Sequence, residues 1–114
     1  MNEGEVILTP IAQADGQVKN RPAIVLRELP PYRDLLICGV STQVQHLVPG
    51  FDELITSRDG DFTASGLMAD SVIRLGFLAV VPRKAVAGSI GKIGGDRHRR
   101  LLQTLSAYLV KNLK

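Results

Sequence analysis

Two groups of polar residues in this chain have side chains that could bind and polarise an anion. Arg21 stands directly before Pro22 and an apolar, β-branched run, 23–26. Because proline fixes its own φ and holds the preceding residue extended, Arg21 is predicted at the start of a strand. A guanidinium held in this way can donate two hydrogen bonds to one phosphate, and it stays charged at any working pH.

The second group follows the continuous apolar run 35–40, which is typical of a buried central strand. Ser41, Thr42 and Gln43 stand at its polar end, where an ordinary turn is the simpler interpretation. If this strand lies beside the one that follows Arg21, the two polar ends meet at one shallow groove. A hydroxyl there could then bind the same phosphate or transfer a proton.

Other cations are less specific. Arg74, near the end of the β-rich run 71–75, is either a second phosphate contact or an outward-facing strand residue. Lys19 and Asn20 precede Arg21 in the same polar turn and are further candidate contacts. The basic run 97–100 is expected to be the solvated face of a helix.

Several common sites are excluded by the residue types present. The glycines do not match the spacing of a phosphate loop or a dinucleotide-binding turn. Cys38, His46 and His98 are too few and too scattered for a usual zinc site. Cys38 lies within an apolar run, so it is interpreted as a small buried hydrophobe and not as a nucleophile.

Length and composition predict a single domain, 1–114. A chain of 114 residues without tryptophan has a thin core, so pairing with a second copy would help to cover apolar surface. The net charge of +3 makes an anionic partner plausible. The chain has no signal-peptide pattern and no apolar run that could span a bilayer, which favours a cytoplasmic protein.

The pattern of apolar residues predicts many short strands and one closing helix. Pro10 is expected to end the first strand, Pro22 to begin the second, and Pro30-Pro31 to end it. The predicted strands are 5–9, 22–29, 35–40, 71–75, 77–81 and 86–93, with weaker candidates at 47–51 and 53–56. Residues 57–66 are predicted to form a loop, and a helix is expected from Asp96, as its cap, to the C-terminus. The prediction is a mainly β, mostly antiparallel barrel with a C-terminal helix.

Several segments in order resemble one family. The segments 4–8 (Gly-Glu-Val-Ile-Leu) and 20–26 (Asn-Arg-Pro-Ala-Ile-Val-Leu) resemble the opening of the MazF/PemK toxins of toxin-antitoxin pairs. Segment 40–43 (Val-Ser-Thr-Gln) is similar to the family's Ile-Thr-Ser-Gln after the central strand. Segments 65–67, 70–75 and 90–93 resemble the family's second half, so the resemblance covers nearly the whole chain.

The resemblance implies an SH3-like barrel that forms a homodimer and binds single-stranded RNA across the dimer. It implies a metal-independent, cofactor-free endoribonuclease that leaves a 2′,3′-cyclic phosphate and a 5′-hydroxyl. Arg21 and Ser41 would be the catalytic residues. Arg21 would stabilise charge on the phosphate or protonate the leaving oxygen, and Ser41 would hold the phosphate or relay a proton. A cognate antitoxin would be the protein partner.

Three positions depart from the family's pattern. Ser41 replaces the usual Thr, which keeps the hydroxyl but loses the methyl group that stiffens χ1. Gly76 stands where some members have an acid, so the general base is Asp61, Asp70 or no carboxylate at all. Gln17 lies near a position where many members have Glu.

These departures leave two other functions open. The first is a toxin-like module without chemistry, either a gyrase poison or an inactive homologue that binds only an antitoxin. The second is a small β-barrel interaction domain unrelated to toxins.

Overall fold

The computed structural model describes residues 1–113, and its backbone is one curled antiparallel sheet with a C-terminal helix. The strands are β1 (Glu5–Ala12), β2 (Val18–Leu29), β3 (Asp34–Ser41), β4 (Glu53–Ile55), β5 (Ser71–Val81) and β6 (Gly88–Lys92). Helix α1 is the short turn Phe62–Ser65, and helix α2 spans Gly95–Leu109. The strand order is β4-β5-β3-β2-β1-β6. The predicted mainly β, barrel-like fold with a closing helix is confirmed.

Alternation along the strands separates two apolar clusters on the two faces of the sheet. One cluster packs against α2 and comprises Val6, Ile24, Leu26, Cys38, Ile55, Ile73, Leu75, Ile93, Leu101 and Leu105. The other cluster comprises Ile7, Ala23, Val25, Leu35 and Ile37. The functional side chains discussed below lie on this second face.

Two prolines lie inside strands, contrary to the sequence-based prediction. Pro10 pairs with Asn20 within β1, and Pro22 pairs with Leu8 within β2. Proline is tolerated because each lies where its strand has only one neighbour: β1 pairs with β6 no further than Leu8, and β2 pairs with β3 only from Ala23. Arg21 is therefore the fourth residue of its strand and not the residue before it.

Other elements also differ from prediction, and the predicted loop 57–66 contains helix α1. Residues 47–51 form a turn and not a strand, and the predicted strands 71–75 and 77–81 are one strand, β5, with an irregularity in its pairing to β3. Helix α2 ends at Leu109, and its N-cap is Gly94, so Asp96 lies in the first turn and makes no side-chain cap. Pro30-Pro31 ends β2 as predicted. In the described part of the chain, no helix is long and apolar enough to cross a membrane.

Arg97 joins the start of α2 to the segment that follows β4. It was predicted to be solvated, but it is only 7% exposed. Its guanidinium donates to Asp61 at 2.8 and 3.2 Å, to Glu53 at 2.9 Å and to the carbonyl of Leu54 at 3.1 Å. Asp59 lies 3.3 Å away. A cation can be buried here because carboxylates on neighbouring segments surround it.

We expect Arg97→Ala to destabilise the fold by about 3–5 kcal/mol, because it leaves Asp59 and Asp61 without their cation and leaves Glu53 with Arg100 alone. Chemical denaturation followed by circular dichroism measures the free energy of unfolding. Arg99→Ala is the matched control: Arg99 pairs with Asp96 on the exposed side of the same helix, 69% exposed. Its loss should cost less than about 0.5 kcal/mol. Equal effects of the two substitutions would contradict the assigned role of Arg97.

The same ion pair predicts a dependence of stability on pH. The hydrogen bonds from Arg97 lower the pKa of Asp61. A group whose pKa is lower in the folded state stabilises the fold above its unfolded pKa, about 3.9 for Asp, and loses that contribution as pH falls through the folded pKa. The difference in unfolding free energy between wild type and Arg97→Ala should therefore shrink below about pH 4. A difference that stays constant down to pH 2 would rule out this ion pair as its source.

Candidate active site

A cleft with a volume of about 720 Å³ opens at the start of β2 and the end of β3. Five of the seven residues predicted to form a site line it: Arg21, Ser41, Thr42, Gln43 and Arg74. Lys19 and Asn20 lie next to Arg21 on β2 but do not line the cleft. The structure thus brings together the two groups of residues that the sequence separates by twenty positions.

Strand register places the central side chains on one face. Ala23 pairs with Gly39 on β3, and Gly39 pairs with Arg74 on β5. Arg21 and Ser41 are each two residues from the first of these pairs, toward the same end of the sheet. Because side chains alternate along a strand, Arg21, Ser41 and Arg74 all project from the same face.

Arg21 is held by a residue that the sequence analysis did not identify. Its Nη2 donates to Oε1 of Gln13 at 2.9 Å, and Nε2 of Gln13 donates to the carbonyl of Ile11 at 3.2 Å. Gln13 lies in the β1–β2 hairpin turn, where Gly16 has a φ of +84°. A neutral amide orients the guanidinium without neutralising its charge. No local sequence pattern marks the contact between Gln13 and Arg21. Only knowledge of the register of the β1–β2 hairpin could have predicted it.

Ser41 is the last residue of β3, and its hydroxyl oxygen already accepts one hydrogen bond. Its Oγ accepts a hydrogen bond from the backbone N–H of Gln43 at 3.0 Å, which is the turn predicted as the simpler interpretation. The hydroxyl proton stays available to donate to another acceptor. Gln43 is fixed in turn, because its Oε1 accepts from Nε2 of Gln45 at 2.7 Å.

The charge of the cleft is positive. Over residues 1–113, Arg21 and Arg74 have no carboxylate within salt-bridge distance, whereas Arg27, Arg33, Arg83, Arg97, Arg99 and Arg100 do. The described residues that line the cleft include neither Asp nor Glu. The two guanidiniums are therefore free to bind an anion, and they attract one from solution.

The wall opposite β2 is formed by residues that follow α1: Gly66, Leu67, Met68 and Ala69. It is fixed by a close approach of backbones. A Cβ on Gly66, whose φ is +74°, would lie 2.0 Å from the carbonyl oxygen of Ile90, and one on Gly91 would lie 2.1 Å from that of Ala64. Only glycine fits at either position. Asp61, held by Arg97, stands at the start of this segment.

The carboxylates considered as a general base lie outside the cleft lining. Asp61 is bound by Arg97, which lowers its pKa, and Asp70 accepts from the backbone of Ser57 at 3.1 Å. Gly76 lines a different groove, where a Cβ would lie 3.8 Å from the ring of Phe51. A carboxylate at position 76 of this backbone would therefore face away from Arg21.

Other titratable residues have structural surroundings. Burial raises the pKa of the Cys38 thiol to about 12, so it stays protonated near neutral pH. His98 Nε2 donates to the carbonyl of Leu26 at 2.8 Å, and His46 is exposed on a turn. Residues 1–113 contain no group of three His, Cys, Asp or Glu side chains that could hold a metal ion.

Comparison with known proteins identifies a family and related solved structures. Residues 2–109 match the model of the PemK-like, MazF-like toxin of type II toxin-antitoxin systems. No match was found among curated proteins. The fold is similar to that of the Mycobacterium tuberculosis toxin MazF-mt6, with a TM-score of 0.66 and 18% identity over 96% of this chain and 99% of that one. The chain therefore belongs to the PemK-like, MazF-like toxins of type II toxin-antitoxin systems, a family that implies an antitoxin partner.

Proposed function

We propose that this toxin is a cytoplasmic endoribonuclease that cleaves single-stranded RNA without a metal ion. The observation that carries this proposal is the cleft in which two unpaired guanidiniums, of Arg21 and Arg74, and the hydroxyl of Ser41 share one face. A phosphodiester is the anion that such a site fits. The two cations supply the positive charge that a metal ion supplies in other nucleases.

In the proposed reaction, the 2′-oxygen attacks the adjacent phosphorus and the bond from phosphorus to the 5′-oxygen breaks. The 2′-hydroxyl loses a proton and the leaving 5′-oxygen gains one, so that the products are a 2′,3′-cyclic phosphate and a 5′-hydroxyl. Negative charge on the non-bridging oxygens rises as the new bond forms. A fixed cation therefore stabilises the transition state more than the ground state.

Arg21 is the residue to which we assign this stabilisation. Its guanidinium is positioned by Gln13 and by the stiff backbone before Pro22, so little reorganisation accompanies the reaction. Because a guanidinium is protonated at any physiological pH, the assigned role is electrostatic and not proton transfer. Arg74, on the same face two strands away, is assigned to hold the RNA backbone.

Ser41 is assigned to bind a non-bridging oxygen. Its Oγ lone pair is occupied by the N–H of Gln43, so the hydroxyl proton is directed elsewhere and can be donated to the phosphate. Water accepts the proton of the attacking 2′-hydroxyl and supplies the proton that the leaving 5′-oxygen gains, since none of the described cleft-lining residues is a carboxylate. Thr42 and Gln43 are proposed to contact the RNA at the same rim, and Lys19 and Asn20 to contact it beyond the cleft.

The lack of a carboxylate among the described cleft-lining residues favours a second function. Without a carboxylate in the cleft, the site could bind RNA or a protein without accelerating cleavage. Such a toxin-like module would act only by occupation. Cleavage assays separate the two functions directly.

We expect Arg21→Ala to lower the rate of RNA cleavage by roughly two to three orders of magnitude, because it removes a contact that strengthens in the transition state. Arg21→Lys should restore little, since an ammonium lacks the planar fork. Arg27→Ala is the control: it removes an arginine of the same strand, 57% exposed and paired with Glu3. Cleavage of single-stranded RNA is followed by gel, and product ends are identified by mass spectrometry.

Ser41→Ala should slow cleavage less than Arg21→Ala if Ser41 only positions the phosphate. EDTA should leave the wild-type rate unchanged. Full activity of Arg21→Ala, or 3′-hydroxyl products formed only with magnesium, would exclude the proposed mechanism.

We also propose that the protein is a homodimer. A second groove is lined by apolar residues of α2 and its neighbours, including Val48, Leu78, Tyr108 and Leu109, and these side chains are 41–62% exposed in the single chain. Leu109→Glu should convert the dimer to a monomer in sedimentation velocity at micromolar concentration. Val18→Glu, at a residue of equal exposure on the β1–β2 hairpin, is the control. A wild type that sediments as a monomer would refute the dimer.

The antitoxin is proposed to place an acidic, partly disordered segment across the cleft and to compete with RNA. Binding of the protein encoded by the neighbouring gene should weaken with added salt and with Arg74→Glu. Arg58→Glu is the control, because Arg58 is exposed and lies outside the cleft lining. If co-expression of that neighbour fails to restore growth, or Arg58→Glu weakens binding as much, the proposal is wrong.

A further inference from the structure

The pairing of β3 with β5 is irregular at the centre of the cleft. Cys38 pairs with Leu78, but its neighbour Gly39 pairs with Arg74. Residues 75–77 of β5 therefore lie opposite a single step of β3, which makes a bulge. Bulges of this kind redirect a side chain, and they occur often beside functional sites.

The side chain redirected here is Phe77. A Cβ on Gly39 would lie 3.0 Å from Cδ1 and 3.2 Å from Cγ of its ring. A Cβ at position 39 points to the face that carries Arg21, Ser41 and Arg74, so the ring covers Gly39 on that face. A methyl group at position 39 would displace the ring of Phe77. Glycine at this position therefore lets the ring pack directly against the backbone of β3.

The ring is open to the cleft in spite of being apolar. Phe77 is 38% exposed and is a cleft-lining residue together with Arg21, Ser41 and Arg74. The residues paired across the strands at this point are Ala23, Gly39 and Arg74. Ala23 and Gly39 have small or no side chains, so they leave part of the Phe77 ring exposed in the cleft that Arg21 and Arg74 also line.

We propose that Phe77 is a stacking platform for a nucleobase next to the phosphate held by Arg21. This inference deepens the proposed ribonuclease function and rests on it. Proteins that bind single strands combine a positively charged groove with aromatic rings, because every base has a π-face that can stack. The cations hold the backbone, and the ring fixes which nucleotide lies beside the attacked phosphorus.

The first test measures binding of a fluorescein-labelled RNA of the cleaved sequence, made uncleavable by a 2′-O-methyl group at the scissile nucleotide. In the wild type, an abasic site at one position beside the scissile phosphate should weaken binding about tenfold. Phe77→Leu should weaken binding of the intact RNA about as much, and the abasic site should then cause no further loss. Tyr32→Leu, which removes an exposed aromatic from the β2–β3 turn, should leave both affinities unchanged.

The second test uses the absence of tryptophan from the sequence. Phe77→Trp introduces one indole, whose emission should be quenched by the uncleavable RNA but not by the RNA with the abasic site at the sensitive position. The emission of Tyr32→Trp should not respond to either RNA. Circular dichroism and thermal unfolding establish that each variant is folded.

The outcomes separate this inference from the proposed function. If the wild type cleaves RNA but the abasic site weakens wild type and Phe77→Leu equally, the stacking role is wrong and the ribonuclease function stands. An indole at position 77 that does not respond to bound RNA overturns the stacking role in the same way. If the wild type neither binds nor cleaves RNA, both proposals fail together.

Discussion

The cleft depends on the register in which β2, β3 and β5 pair around Gly39. This register aligns Ala23, Gly39 and Arg74 across three strands. A slip of one residue would move Arg21 and Ser41 to the face that packs against α2, because side chains alternate with a period of two. The apolar residues of both faces prevent such a slip. It would expose buried apolar side chains and would bury Arg21 against α2. The core thus fixes the site, although it contributes no side chain to the chemistry.

A second constraint fixes the cleft wall formed by residues 66–69. The segment from Asp61 to Ala69 has little regular structure, yet it is held at one end by Arg97 and in its middle by the close contact of Gly66 with Ile90. Arg97 belongs to α2, whose own core lies on the opposite face of the sheet. Helix α2 therefore helps to hold this wall indirectly: its Arg97 binds Asp61 at the start of the segment, and the helix itself does not line the cleft.

The sequence located most of the strands and most of the residues that line the cleft. Alternation and continuous apolar runs located β2, β3 and β5, and a stiff Arg-Pro pair with a polar group after β3 indicated where an anion would bind. The prolines were misinterpreted because whether a strand has one neighbour or two is a tertiary property. Arg97 was misassigned for a related reason: burial of a cation depends on carboxylates that come from other segments.

Residues that act through a single tertiary contact left no signal in the sequence. Gln13 contacts Arg21 only because the hairpin register brings them together, and Phe77 reaches the cleft only because of the bulge opposite Gly39. A bulge changes which residues of a strand share a face, and the periodicity of apolar residues in the sequence does not reveal where this happens. From spacing, the two polar groups were expected to meet only if their strands were neighbours. The resemblance to the family implied that the start of β2 and the end of β3 form one site.

The distribution of ion pairs gives the strongest physical argument about what the cleft binds. Within residues 1–113, six of the seven arginines outside the cleft pair with carboxylates, Arg58 being the exception, so their charges are largely neutralised at the surface. Arg21 is held by a neutral amide, and the described cleft-lining residues are free of acid. Two like charges on one face repel each other and destabilise the free protein. Binding of the proposed RNA phosphate would relieve that repulsion. The same lack of carboxylates is why the proposed reaction relies on stabilising the charged phosphate and not on a strong base.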